Sequence, residues 1–129
     1  MILLDTHMWV WWVDESPQLS AQHKQLIEEH EPDGLGVSAI SCWEVAKLVE
    51  RGRLQFACPI EEWMAQALAY PGIVLLPLTP AMAIASTTLP GHFHRDPADQ
   101  IIVATARVHD LALLTMDRLI LDYPYVRTL

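Results

Sequence analysis

Met1-Ile2-Leu3-Leu4-Asp5-Thr6-His7 is the stretch whose reading decides the fold. Four apolar residues run straight into an acid, the pattern of a short buried strand that ends at Asp5. Further along, Glu31-Pro32-Asp33-Gly34 reads as a turn and Leu35–Ala39 as a second strand. Pro71-Gly72 turns the chain into a third strand, Ile73–Leu78, and Ala112–Thr115 reads as a fourth. Tyr125–Leu129 offers a short fifth. Helical stretches lie between them: one capped by Ser20 and running to about His30, then Ser41 to Arg51 closed by Gly52, Pro59 to Tyr70, Thr79-Pro80 to Thr88, and Asp96-Pro97 to about His109. Leu89–Arg95 is a loop. Strands alternating with helices of this length imply βαβ units, hence an α/β fold with a mostly parallel sheet of four to five strands and helices on both faces. Open sheets of this kind bind ligands beyond the carboxyl ends of their strands, where the strand order reverses. Functional residues are therefore expected at strand ends and at the starts of the following helices.

The chain has 129 residues, which predicts one domain over 1–129. Hydrophobic residues make up 52% and charged residues 19%, too apolar for disorder. No apolar run approaches the ~20 residues of a spanning helix. Cys42 and Cys58 form no C-x-x-C pair, so a thiolate metal site has no support, and a reducing compartment is the simpler reading. No basic, apolar leader is visible, and a cytoplasmic protein is expected. Eight Lys and Arg against sixteen Asp and Glu give a formal charge of −8. Such a chain repels phosphate backbones unless its acids are occupied by cations.

The positions of those acids carry the function. Asp5 and Asp117 follow the first and fourth strands, in Leu3-Leu4-Asp5-Thr6 and Leu113-Leu114-Thr115-Met116-Asp117. Glu44 opens a helix in Ser41-Cys42-Trp43-Glu44, and Asp99 opens another in Arg95-Asp96-Pro97-Ala98-Asp99. Each has a local explanation. Asp5 and Asp117 suit turns or caps, Arg118 offers Asp117 a counter-charge, and Asp96 before Pro97 is a good N-cap. Ser41-x-x-Glu44 matches a capping box. Asp99 falls at the third helical position, ahead of an almost wholly apolar run, Ile101–Ala106, that predicts a buried helix. Jointly the acids say more. Four carboxylates on one sheet edge repel one another, and a hard divalent cation relieves that repulsion.

These residues resemble the PIN-domain family, and within it the VapC-type toxin ribonucleases of type II toxin–antitoxin pairs. The resemblance rests on Leu3–His7, Ser41–Ala46, Arg95–Asp99 with Ile101–Ala106, and Leu113–Asp117, in that order, and spans essentially the whole chain. It implies a three-layer α/β/α sandwich and an acidic quartet of Asp5, Glu44, Asp99 and Asp117 that both binds Mg²⁺ or Mn²⁺ and carries catalysis. The implied activity is hydrolysis of RNA phosphodiesters, leaving phosphate on the 5′ side of the product. Asp96 would act as a cap and then as a support to the quartet, and Thr6 and Thr115 could hydrogen-bond the cation's waters. The implied partners are a second copy of the chain and an antitoxin with a basic segment, with DNA contacted only through the antitoxin.

Other features divide between structure and function. Arg95 suits RNA phosphate, whereas His92 and His94 read as a solvated loop and His7 as a partly buried neighbour of Asp5. No two histidines show zinc-site spacing. Trp9, Trp11 and Trp12 exceed what one short segment usually buries, so part is expected in the core and part at an interface. Trp43 and Trp63 are expected in the core. A haloacid-dehalogenase-like phosphatase needs Asp-x-Asp after the first strand, but His7 occupies the second position. A receiver domain needs a Lys after a late strand, and the only lysines are Lys24 and Lys47. A catalytically silent PIN-like interaction module would lack one of the four acids, and none is missing.

Overall fold

A computed structural model describes residues 1–129. Four strands, β1 (Ile2–Leu4), β2 (Leu35–Ser38), β3 (Ile73–Leu76) and β4 (Leu113–Leu114), form one parallel sheet in the order β3-β2-β1-β4. Seven helices complete the chain: α1 (Thr6–Val13), α2 (Ala21–His30), α3 (Ala39–Glu50), α4 (Ile60–Ala69), α5 (Pro80–Thr87), α6 (Pro97–Val108) and α7 (Arg118–Leu121). No helix is long and apolar enough to cross a membrane.

Strand side chains alternate between faces, and each face has its own core. Ile2 and Leu4 pack with Leu35, Val37 and Leu114 against Met8, Trp9 and Val10 of α1, Ile27 of α2, Val45 of α3 and Trp63 of α4. Leu3 and Leu113 face the other way, against Ile102, Val103 and Ala106 of α6 and Ile120 of α7. A sheet covered on both sides is the three-layer arrangement expected. Gly36 in β2 leaves room for its neighbours in the sheet, since a Cβ there would stand 3.1 Å from Leu76 Cδ1 and 3.3 Å from the Ile2 carbonyl oxygen. The turn before β2 ends at Gly34, whose φ of 102° favours glycine.

Several local expectations are corrected. Tyr125–Leu129 forms no fifth strand; it makes one parallel bridge, Leu113 to Thr128, with Arg127 O and the Leu129 N–H bonded to Leu113. The Trp-rich segment is helix α1, which no sequence pattern marks. Its residues are apolar nearly all round and so lack the periodic stripe that marks a surface helix. Trp9 is fully buried and donates from Nε1 to Ala67 O, and Trp12 is buried too. Trp63 is buried as expected, with Nε1 donating to Asp14 Oδ1 at 2.8 Å. Trp43 is not in the core: it is 53% exposed, because α3 turns Val45 toward the sheet and leaves Trp43 outside.

Candidate active site

The chain runs β1, β2, β3 outward and returns to place β4 on the other side of β1. The order therefore reverses at β1, and the crevice beyond its carboxyl end is the topological switch point. Asp5 follows β1 there, and Asp117 stands three residues past β4.

Asp5 is the N-cap of α1. Its Oδ1 accepts from the Thr6 N–H at 2.8 Å, and its Oδ2 accepts from Thr115 Oγ1 at 2.6 Å. Thr115 also accepts from the Asp117 N–H at 2.9 Å, so one buried hydroxyl ties the ends of β1 and β4 together. Asp117 caps α7 through Leu119 N–H. Arg118 leans toward Asp122, 3.9 Å away, instead of neutralising Asp117.

Glu44 is not part of a capping box. Ser38 caps α3, accepting from the Ile40 N–H, and the helix begins before Ser41. Ser41 is fully buried, with Oγ 2.8 Å from Thr6 Oγ1. Thr6 Oγ1 donates its single proton to Glu44 Oε1 at 2.6 Å, so Ser41 must be the donor to Thr6. A relay Ser41→Thr6→Glu44 holds the carboxylate from beneath. The sequence offered Ser41 only as a cap. Its one further signal was that Ser38 lies three residues earlier and is equally able to cap. Thr6 and Thr115 thus give their protons to the carboxylates of Glu44 and Asp5.

Asp99 stands at the start of α6, behind the N-cap Asp96, whose Oδ1 accepts from the Asp99 N–H at 3.0 Å. His94 is not simply solvated. Its Nδ1 accepts from the Asp96 N–H, leaving the ring proton on Nε2, which faces Asp99 Oδ2 at 3.1 Å but too obliquely for a hydrogen bond. Arg95 and His92 are exposed, and His7 is exposed against the Trp11 ring.

The electrostatics join these segments. Burial pushes the Asp5 carboxyl up, against the lowering effect of its bonds to Thr115 and Thr6. Burial raises Glu44 as well, and repulsion from Asp5, Asp96 and Asp117 adds to it. Asp99 is pushed up to about 8, first by burial and then by Asp96, Asp5, Asp117 and Glu44. Five acids from four separate segments therefore feel one another, and among the charged neighbours only His7 works against this, lowering Asp5.

The donor set fits a hard cation. It offers only carboxylate and hydroxyl oxygens, and a positive charge would offset the repulsion that helps raise Glu44 and Asp99. No three His, Cys, Asp or Glu side chains converge closely enough to grip an ion by themselves. That suits Mg²⁺, which keeps several waters and takes one or two carboxylates directly.

The PIN-domain family model matches residues 2–124. Ribonuclease VapC22 of Mycobacterium tuberculosis (strain ATCC 25618 / H37Rv) is 38% identical over 126 residues, covering 98% of this chain and 94% of the relative. Among solved structures, VapBC2 from Rickettsia felis bound to a promoter DNA fragment aligns with a TM-score of 0.71 at 14% identity, covering 100% of this chain and 98% of that one. A toxin–antitoxin complex from Klebsiella pneumoniae aligns with a TM-score of 0.69 at 23% identity, covering 98% and 95%. At such identities these two structures establish the shared fold. A family match over almost the whole length, joined to a relative of this similarity, carries the conclusion that the chain belongs to the PIN-domain family.

Proposed function

We propose that the protein is a metal-dependent endoribonuclease, the toxin of a toxin–antitoxin pair, with Asp5, Glu44, Asp99 and Asp117 as its metal-binding and catalytic residues. The observation that carries this reading is the convergence of these acids at the switch point, where burial and mutual repulsion raise Asp5, Glu44 and Asp99. The ribonuclease relative supports the reaction class.

Asp5, Asp99 and Asp117 would hold Mg²⁺ or Mn²⁺, with Glu44 completing the set. When bound, the cation offsets charge on the phosphate and acidifies water. The chain's own residues do the positioning. Thr115 and the Thr6 N–H fix both oxygens of Asp5. The Ser41–Thr6 relay fixes Oε1 of Glu44, leaving Oε2 to orient a water on the phosphodiester. Asp96 sets the first turn of α6 and with it the place of Asp99.

The net charge of −8 and the acidic crevice favour an antitoxin with a basic segment, and DNA would be reached through that partner. The solved neighbours are themselves toxin–antitoxin complexes, some bound to DNA. Val74, Leu75, Leu78 and Ile84 leave an apolar edge exposed along β3 and α5, which supports a homodimer. The cytoplasm, where RNA and antitoxin meet, is the proposed compartment.

The test is RNA cleavage by the purified chain with Mg²⁺, Mn²⁺ or EDTA, beside Asp5→Asn. Cleavage that needs the cation and disappears in a folded Asp5→Asn supports the proposal. Absence of cleavage across a broad RNA panel, with no cation binding by calorimetry, would leave a silent interaction module as the better account.

A further inference from the structure

An acidic nuclease has to attract RNA somewhere, and the acidic quartet does not do it. Two of the eight basic residues are held away from the quartet, Arg107 donating to Tyr125 O and Arg127 to Asp110; Arg118, next to Asp117, is exposed 3.9 Å from Asp122, and Arg53 and Arg95 are exposed. Lys24 lines a separate cleft with Glu15 and Glu28. Two others are placed differently. Lys47 and Arg51 line a cleft of about 270 Å³ between α3 and the start of α6, together with Trp43, and the same cleft is bounded by Glu44 and Asp96.

We propose that the outer face of α3, formed by Trp43, Lys47 and Arg51, is the track along which single-stranded RNA leaves the acidic site. The proposal rests on the ribonuclease reading above and assigns that reaction its substrate-binding residues. Trp43, Lys47 and Arg51 are four residues apart and so form one stripe along the helix. Arg51 lies seven positions beyond Glu44, about 10 Å along the axis at 1.5 Å per residue. That length accommodates roughly three stacked nucleotides at ~3.4 Å each.

Each residue is suited to the task. Trp43 is the most exposed tryptophan, and it presents a ring face on which any base can stack. Lys47 Nζ lies 6.0 Å from the Trp43 ring centre, so the aromatic face and the charge are adjacent. Lys47 also pairs with Glu50 at 3.0 Å, but that pair is exposed and gives way readily to a phosphate. Arg51 is exposed at the end of the helix. The charge order along the cleft is consistent: acids at the end where a cation would screen the phosphate being cut, bases where flanking phosphates would lie unscreened. A basic protein segment is disfavoured on this face, because it would meet Lys47 and Arg51.

The test measures affinity separately from cleavage. Fluorescence anisotropy of a 5′-fluorescein single-stranded RNA dodecamer is followed in the Asp5→Asn background, so that no cutting competes. The expected result is about tenfold weaker binding for Trp43→Ala, restored by Trp43→Phe. For Lys47→Ala/Arg51→Ala the slope of log affinity against log salt falls by about 1.4, at ~0.7 per lost phosphate contact on a single strand. In the wild-type background the same changes should raise KM for RNA and leave hydrolysis of bis-p-nitrophenyl phosphate unaltered, since that diester is too small to reach the track. Unchanged RNA affinity and salt slope in folded variants overturn the track, as does failure of the parent to bind the oligonucleotide. Retained RNA affinity with loss of a nona-arginine peptide in Trp43→Ala overturns it in favour of a protein-binding face. Failure of the ribonuclease reading shows separately, as absent cleavage by the wild-type chain.

Discussion

Thr115 Oγ1 donates a 2.6 Å hydrogen bond to Asp5 Oδ2 across 110 positions of sequence. The same hydroxyl accepts from the Asp117 N–H. Two acids read from the sequence as separate strand-end residues are thus held by one buried threonine at the edge between β1 and β4.

Thr115→Val keeps the shape of the side chain and removes both bonds. Loss of a hydrogen bond to a carboxylate, in a residue 2% exposed, should cost about 2 kcal/mol in urea denaturation. Thr115→Ser should recover most of it. Equal stability of Thr115→Val and wild type would refute the tie.

The relay from Ser41 through Thr6 to Glu44 predicts non-additivity. Thr6→Val strands the Ser41 hydroxyl and frees Glu44, so it should cost roughly 1–3 kcal/mol, more than Ser41→Ala. In a double-mutant cycle the pair should couple by about 0.5 kcal/mol or more. A coupling of zero would separate the two groups.

Asp99 makes stability depend on pH. The folded protein holds this proton up to about 8, whereas the ordinary value is 3.8. Between those values the folded state binds more protons than the unfolded one, so its stability falls as pH rises and levels off above about 8. Asp99→Asn removes this penalty. Without divalent cation at pH 8 it should be more stable than wild type, with the gap closing toward pH 4. Thermal melts in EDTA across that range check it; a variant that is destabilised at pH 8 would contradict the electrostatic account. Adding Mg²⁺ should raise the wild-type Tm more than that of Asp99→Asn.

Two tryptophans should respond in opposite ways. Trp9 is fully buried, so Trp9→Ala should cost about 3–5 kcal/mol. Trp43→Ala should change stability by less than about 0.5 kcal/mol, because the ring is 53% exposed. Comparable losses at both positions would return Trp43 to the core.

Much of this protein is local and therefore legible in its sequence. Short apolar runs leading to acids marked β1 and β4, and the turns at Gly34 and Gly72 opened β2 and β3. Ser20, Thr79 and Asp96 announced the starts of α2, α5 and α6, because a cap is a contact between residues two or three apart. The same locality placed Asp5, Glu44, Asp99 and Asp117 at one sheet edge, since parallel strands joined by helices all end on one side. Tertiary structure decided the rest. Ser38 and Ser41 can each cap a helix, and the end of β2, set by its pairing with β1 and β3, selected Ser38 and freed Ser41 to support Thr6. Helix α1 has no amphipathic period because packing surrounds it, so only its place beneath the sheet identifies it as a helix. Periodicity puts Trp43 on a helical face but does not say which face meets the sheet; the docking of α3 through Val45 turned it outward. Sequence determines what neighbours along the chain can do for one another, whereas partners 35 to 110 residues apart, such as Thr6 with Ser41 and Asp5 with Thr115, are chosen only when the sheet forms and brings its strand ends together.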